Sequence, residues 1–163
     1  MKRVSYKNTL PYTRTSHKGA PYLLGDAYKN HGELCESIAK WVRGLYTPVN
    51  PATSFDKDSD IPELKASVKS SHCSLARKLF GETLGEQVED FINRSHSDWF
   101  VWVEWNEKTE HVDEYWMNHD EFAKFCDKFV RNDSSSKIRP RCMNSSSKMR
   151  AWLDSHTTEW VMA

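Results

Sequence analysis

The run Trp99–Trp105 (WFVWVEW) constrains the fold more than any other segment of this chain. It is built of aromatic and β-branched residues, which favour extended strands, and it contains neither glycine nor proline. Residues 106–110 then form a turn, and His111–Met117 is the expected antiparallel partner. We therefore expect a sheet whose centre includes this hairpin.

Helical patterns surround the hairpin. Asn118 precedes NHDEFAKFCDKFV as an N-cap, with Glu121 at the capping-box position. Apolar residues recur at helical spacing over 31–45, and Gly44 is the expected stop. Two more helices are expected over 74–93 and 147–154. Short strands are also expected at 60–61 and 66–69, joined by residues 62–65. The pattern predicts an α/β (α+β) protein with a mixed β-sheet flanked by helices.

The length of 163 residues fits one domain. We expect residues 1–25, rich in polar residues, to be an N-terminal arm or irregular lead-in, and 26–163 to form a single domain. The four cysteines are scattered, which is typical of reduced thiols in a cytoplasmic protein. No apolar run approaches the length of a membrane span, so we expect no membrane association.

The formal net charge is zero, but the charges are segregated along the chain. Residues 81–125 carry 3 basic and 12 acidic side chains, whereas 134–153 carry five basic side chains and no acidic one. A protein of this kind can present a basic face although its total charge is neutral. The segment 134–153 is therefore either a solvated surface or a contact to nucleic acid.

Four polar residues have the spacing of a hydrolytic site. Glu33 lies at the edge of the apolar stripe of the first helix, and Asp60 begins a strand. Ser67 and Lys69 are two residues apart, so both point to one face of the next strand, while Val68 points into the core. Magnesium binds carboxylates, and a bound metal activates water. A lysine nearby stabilises charge on a phosphate. The constellation favours cleavage of a phosphodiester.

These residues resemble the PD-(D/E)xK nuclease superfamily. Glu33, Gly44 eleven residues later, Asp60 and the strand ASVKS arrive in the order typical of that superfamily, over roughly residues 30–105. The arrangement is most similar to archaeal Holliday-junction resolvases and the smaller restriction endonucleases. The resemblance implies a restriction endonuclease-like αβββαβ core and Mg²⁺-dependent hydrolysis of DNA, often by a homodimer. It implies that Asp60 and Glu33 are metal ligands and that Lys69 is the catalytic lysine.

The sequence departs from the superfamily at Ser67, where Glu or Asp is usual. Ser67 or the carbonyl of Val68 would complete the metal site, and the missing acid would come from Glu33, Glu82 or Glu86. The cofactor is expected to be Mg²⁺, with Mn²⁺ as a substitute. The alternative is a catalytically silent DNA-binding or protein-interaction module on the same fold. A third interpretation is a domain whose acidic middle, 81–125, binds a basic partner.

We accordingly predict a DNA endonuclease, either restriction-type or structure-specific, encoded by a bacterium or phage. Duplex cleavage on both strands would require a two-fold dimer. Contacts to the phosphate backbone are expected from a set of polar and basic side chains. They are Ser70, Arg139, Arg141, Lys148 and Arg150.

Overall fold

The computed structural model describes residues 1–11, 31–46, 60–71, 73–77, 96–132 and 140–162. These contain eight strands and three α-helices. The strands are β1 Lys2–Lys7, β2 Ala66–Ser70, β3 Cys73–Arg77, β4 Trp99–Trp105, β5 His111–Met117, β6 Arg131–Asn132, β7 Pro140–Met143 and β8 Glu159–Met162. The helices are α1 His31–Val42, α2 His119–Phe129 and α3 Ser147–His156.

Five strands form one mixed sheet in the order β2-β4-β5-β1-β8. β4 pairs with β5 and β5 with β1 in antiparallel fashion, whereas β2 runs parallel to β4 and β8 parallel to β1. The hairpin expected over 99–117 is confirmed, with Trp102 opposite Tyr115. A smaller sheet of three strands has the order β3-β7-β6.

Helices cover both faces of the five-stranded sheet, because β4 is apolar on both sides. Val101 and Val103 pack into a core with residues of α1, while Phe100 and Trp102 pack into a second core with α2 and α3. Alternate residues of a strand point to opposite faces, so a continuous apolar run requires cover on both. The predicted α+β architecture, a mixed sheet with helices on its faces, is confirmed.

The helix boundaries follow local signals. Gly44 adopts a φ of 70° just beyond α1, a left-handed conformation that ends helices readily because glycine has no Cβ. Asn118 caps α2 and forms the expected capping box with Glu121. Ser146 caps α3 through the backbone N–H of Met149. The helices predicted over 31–45, 118–130 and 147–154 are thus confirmed, to within two or three residues at their ends.

The irregular lead-in expected over residues 1–25 is wrong for Lys2–Lys7, which form β1. β1 lies between β5 and β8, so both of its backbone edges are paired. Val4 and Tyr6 are buried on the α1 side, and Ser5 is buried on the other. The strand is short and half polar, and its stability comes from neighbours far along the chain. Residues 12–25 lie outside the described part of the structure.

The helix expected over 74–93 is wrong at its start, because Cys73–Arg77 form β3 and pair with β7 in antiparallel fashion. The apolar spacing that suggested a helix is carried mainly by residues 79–92. Residues 78–95 lie outside the described ranges, and the αβββαβ core remains a prediction.

The carboxylate of Glu114 joins three elements at the α1 face of the sheet. The side chain is fully buried at 0% exposure. Both of its oxygens accept hydrogen bonds from the guanidinium of Arg43, which follows α1, and one of them accepts from the hydroxyl of Tyr6 in β1. The indole N–H of Trp116 donates to the other oxygen at 3.0 Å. Burial and the neighbouring carboxylate raise the pKa of Tyr6, so its hydroxyl stays protonated and donates.

We expect Arg43→Ala to lower the free energy of unfolding by about 3–5 kcal/mol, because it leaves the Glu114 carboxylate buried without its cation. Lys40→Ala, in the last turn of α1, is the matched control. Lys40 pairs with the partly exposed Glu36 at 3.3 Å, and such a pair contributes only about 0.3–0.5 kcal/mol. Urea denaturation followed by circular dichroism measures both variants. Equal losses in the two variants would contradict the role given to Glu114.

Candidate functional site

A tight turn brings Asp60 next to β2. Ile61 and Ala66 form one antiparallel bridge, with both backbone N–H groups donating to the opposite carbonyl. Between them Pro62–Leu64 form a single 3₁₀ turn, and Lys65 adopts a left-handed φ of 49°. Within the described residues 60–71, the hairpin that the sequence predicted is present as this single bridge, with no second full strand.

The carboxylate of Asp60 lies against the backbone of β2. Its Oδ2 accepts a hydrogen bond from the backbone N–H of Val68 at 2.7 Å and one from the hydroxyl of Ser67 at 3.3 Å. β2 is the terminal strand of the five-stranded sheet. Ala66 pairs with Ile61 on the side away from β4, and Val68, two residues later, directs its N–H to the same side. Asp60 therefore lies at the outer edge of the sheet.

The main-chain carbonyl of Val68 points to the same outer edge. Within an extended strand, the N–H and C=O of one residue point towards the same neighbour. Since the N–H of Val68 meets Asp60, its carbonyl oxygen is directed to the same side of β2. A carboxylate and a carbonyl oxygen, which are both hard oxygen donors, thus lie on one edge.

Ser67 and Lys69 occupy the face of the sheet covered by α2 and α3. Ser67 is in register with Phe100 and Lys69 with Trp102, and both aromatic residues belong to that core. Val68 is buried in the opposite core, as expected. Lys69 is half-buried and lies two residues beyond Ser67, so about 7 Å of strand separates the two positions.

Glu33 is the third residue of α1, and α1 packs against β2. The Glu33 side chain is outside the described part of the structure, as are Glu82 and Glu86. Ala66 and Val68 share a core with α1, so this helix approaches β2 from the face opposite to Ser67 and Lys69. Among the side chains that are described, no three of His, Cys, Asp or Glu cluster so that they could hold a metal ion.

The residues expected to contact DNA have different environments. Ser70 is 1% exposed, and its hydroxyl has no hydrogen-bond partner among the described residues, so its side chain is not accessible to DNA in this structure. Lys148 is exposed in the first turn of α3. Arg139 and the side chain of Arg141 lie outside the described residues.

Arg150 binds within the protein. Its guanidinium donates to Asp113 Oδ2 at 2.8 Å, and Asp113 is buried with 4% exposure. Asp113 Oδ1 also accepts from the hydroxyl of Ser5 and lies 3.1 Å from His111 Nε2. Burial tends to lower the pKa of Arg150, but Tyr115 and the neighbouring carboxylates outweigh this and raise it, so the guanidinium stays charged.

A second carboxylate reinforces this arrangement. Glu104 lies opposite Asp113 in the β4–β5 ladder. Its two carboxylate oxygens lie 2.6 and 2.7 Å from the hydroxyl oxygen of Ser145, which donates its one proton to the carboxylate. Ser145 directly precedes the cap of α3, so Glu104 and Arg150 both tie α3 to the sheet. The sequence pattern alone did not single out Glu104, Asp113 and Glu114. Their position in the sequence does indicate their role. An acidic residue within a strand that is apolar on both faces is buried, and a buried acid requires a partner.

Comparison with models of known protein families, with curated proteins and with solved structures finds no match to this chain. In the part of the chain that the structure describes, no helix has the length and apolar character needed to cross a membrane.

We expect Asp60→Ala to lower the free energy of unfolding by about 1–2 kcal/mol, because the N–H of Val68 loses its acceptor. Asp60→Asn retains an oxygen acceptor, so its loss should stay within about 0.5 kcal/mol. Glu63→Ala, at an exposed position in the same turn, is the control and should leave stability unchanged. Urea denaturation distinguishes the three variants. An Asn variant as unstable as the Ala variant would show that the charge, rather than the hydrogen bond, holds the turn.

Proposed function

We propose that this protein is a Mg²⁺-dependent DNA endonuclease whose reaction takes place at the outer edge of β2. The observation that carries the proposal is the placement of Asp60. Its carboxylate is held on the backbone of Val68 and beside Ser67, next to the strand that carries Lys69. Asp60 and Lys69, the acid and the lysine that the sequence singled out, therefore lie beside and on the same strand, β2.

The donor set fits a magnesium ion. Mg²⁺ is commonly bound through one or two carboxylates and several waters, and Asp60 with the Val68 carbonyl supplies two oxygens on one edge. When bound, the ion would neutralise the phosphate and lower the pKa of an attacking water. Glu33 would add a second carboxylate from α1. Because β2 is an edge strand, residues on either face can approach the same outer edge.

Each residue of the proposed site has a definite role. Asp60 is a ligand, and the hydroxyl of Ser67 donates to it and fixes its orientation. Lys69, on the same face as Ser67, would extend past it to orient the water and to stabilise negative charge on the phosphate. Ser67 replaces the usual acid, so the site depends on Glu33 for its second negative charge. The enzyme would act in the cytoplasm of a bacterium, on host or phage DNA.

Cleavage of supercoiled plasmid with and without Mg²⁺ tests the proposal. We expect metal-dependent nicking or linearisation by the wild type. Asp60→Asn and Lys69→Met should each lower the rate by about 10²–10³-fold, since each removes charge stabilisation from the reacting phosphate. Lys124→Met, at an exposed position of α2, is the control and should cleave like the wild type.

The outcomes separate the alternatives. Cleavage at fixed plasmid sites indicates a restriction-type enzyme, and cleavage confined to branched DNA indicates a structure-specific one. No cleavage with Mg²⁺ or Mn²⁺ on either substrate would contradict the enzyme proposal. Salt-dependent DNA binding without cleavage would then favour the silent binding module, for which Ser67 is the supporting feature.

Lys148 and Arg150 provide a test of the DNA surface. Lys148→Ala should weaken binding of a fluorescent duplex and reduce the slope of log affinity against log salt by about 1, without loss of stability. Arg150→Ala should instead destabilise the fold by about 2–4 kcal/mol, because it leaves Asp113 buried without its cation. Fluorescence anisotropy at several salt concentrations, with urea denaturation, measures both. An unchanged salt slope for Lys148→Ala would exclude it from the DNA contact.

A further inference from the structure

Lys69 lies beside the largest of the fully buried side chains that the structure describes. It is in register with Trp102 of β4, which is 0% exposed. Neighbouring strands lie about 4.8 Å apart, so the lysine stem and the indole stand side by side on the face covered by α2 and α3. β2 is the terminal strand of the sheet. The stem of Lys69 therefore has the indole on its inner side and the outer edge of the sheet on its other side.

The indole of Trp102 is fixed by three neighbours. Tyr115 occupies the adjacent position in β5, and Phe125 of α2 meets the indole edge to face, with the ring centroids 5.3 Å apart. The indole N–H donates to Glu104 Oε1 at 2.9 Å. A buried N–H is costly to leave without an acceptor, so this hydrogen bond determines which edge of the ring faces Glu104. It thereby determines where the bulk of the ring lies.

Glu104 is itself held in place from the side of β2. Its carboxylate accepts the proton of the Ser145 hydroxyl, and the backbone N–H of Ser145 donates to Ser71 Oγ at 3.0 Å. Ser71 directly follows β2, two residues after Lys69. The acceptor of the indole N–H is thus connected to the end of the strand that carries Lys69.

We propose that Trp102 is a positioning residue for Lys69 and that Glu104 acts through Trp102 by orienting it. Lysine has a flexible four-carbon stem, so its ammonium group must be confined by neighbours before it can act at one point. The indole keeps the stem from folding towards the centre of the sheet. It directs the ammonium group to the outer edge of β2, where Asp60 lies.

This inference rests on the proposed function, in which Lys69 orients the water and stabilises charge on the phosphate. It adds two residues of β4 that contact neither the metal nor the phosphate in that proposal. Their contribution is to hold the ammonium group in the reactive geometry, because displacing a group by about 1 Å can lower a rate by about 10²-fold.

Two substitutions of Glu104 separate orientation from charge. Glu104→Ala leaves the indole N–H without its acceptor and should lower kcat for plasmid cleavage by about 10–10²-fold, with KM unchanged. Glu104→Gln retains an oxygen acceptor and should keep the wild-type kcat. Ser145→Ala removes the other hydrogen bond of Glu104 and, as the control, should also keep it. An alanine variant as fast as the wild type, or a glutamine variant as slow as the alanine variant, would overturn the proposal.

A zero-length cross-link tests the direction of Lys69 without cleavage. A carbodiimide joins a carboxylate and an amine that meet, and mass spectrometry of the peptides identifies the amide formed. The wild type, Glu104→Gln and Ser145→Ala should each give an amide between Asp60 and Lys69. Glu104→Ala should lose it while circular dichroism shows that the variant is folded. A wild type without this amide, or a Glu104→Ala variant with the full yield, would contradict the positioning.

The two measurements together distinguish this inference from the proposed function. A wild type that forms the amide but cleaves no DNA would contradict the nuclease and support the positioning of Lys69. A wild type that cleaves DNA at the same rate as Glu104→Ala would contradict the positioning and leave the nuclease in place.

Discussion

The structure depends on the burial of the Glu114 carboxylate. An ionised carboxylate without water is costly unless its oxygens are fully hydrogen-bonded and paired with a cation. The donors come from β1, from β5 itself and from Arg43 after α1, so the sheet and the helix must both be formed before the charge is satisfied. Asp113, the adjacent residue, has the same requirement on the other face and obtains its cation from α3. Two neighbouring acids of β5 thus fix the helices on opposite sides of the sheet.

The parts of the fold that the sequence predicted are those with local signals. The β4–β5 hairpin has a short turn and two apolar strands, and α2 has a capping box, so neither requires knowledge of distant residues. β1 could not be predicted in this way. Its partner strands begin more than 100 residues later, and its own pattern of alternate apolar residues is too short to stand out. β3 likewise exists because β7 pairs with it, whereas its sequence alone suggested the start of a helix.

In the candidate site, too, local contacts were predictable from the sequence and distant contacts were not. The contact between Asp60 and the Ser67–Val68 segment was predictable because seven or eight residues separate the partners, and a proline-containing turn closes the loop. Arg150 was read from charge alone, as a surface cation, and instead binds Asp113. A count of charges along the chain does not distinguish a lysine such as Lys148, which is exposed, from an arginine that neutralises a buried acid. Only the three-dimensional pairing separates these two uses of the same charge.

The position of β1 has a consequence for how the chain folds. Lys2 lies opposite Trp116 on one side and beside Glu159 on the other, so its neighbours in the sheet are synthesised more than 100 residues after it. Closing loops of this length is entropically expensive, and proteins dominated by such distant pairings fold slowly. The hairpin of β4 and β5 is expected to form first and to hold a vacant edge until β1 docks. During synthesis, both backbone edges of β1 therefore stay unpaired until β5 and β8 have emerged.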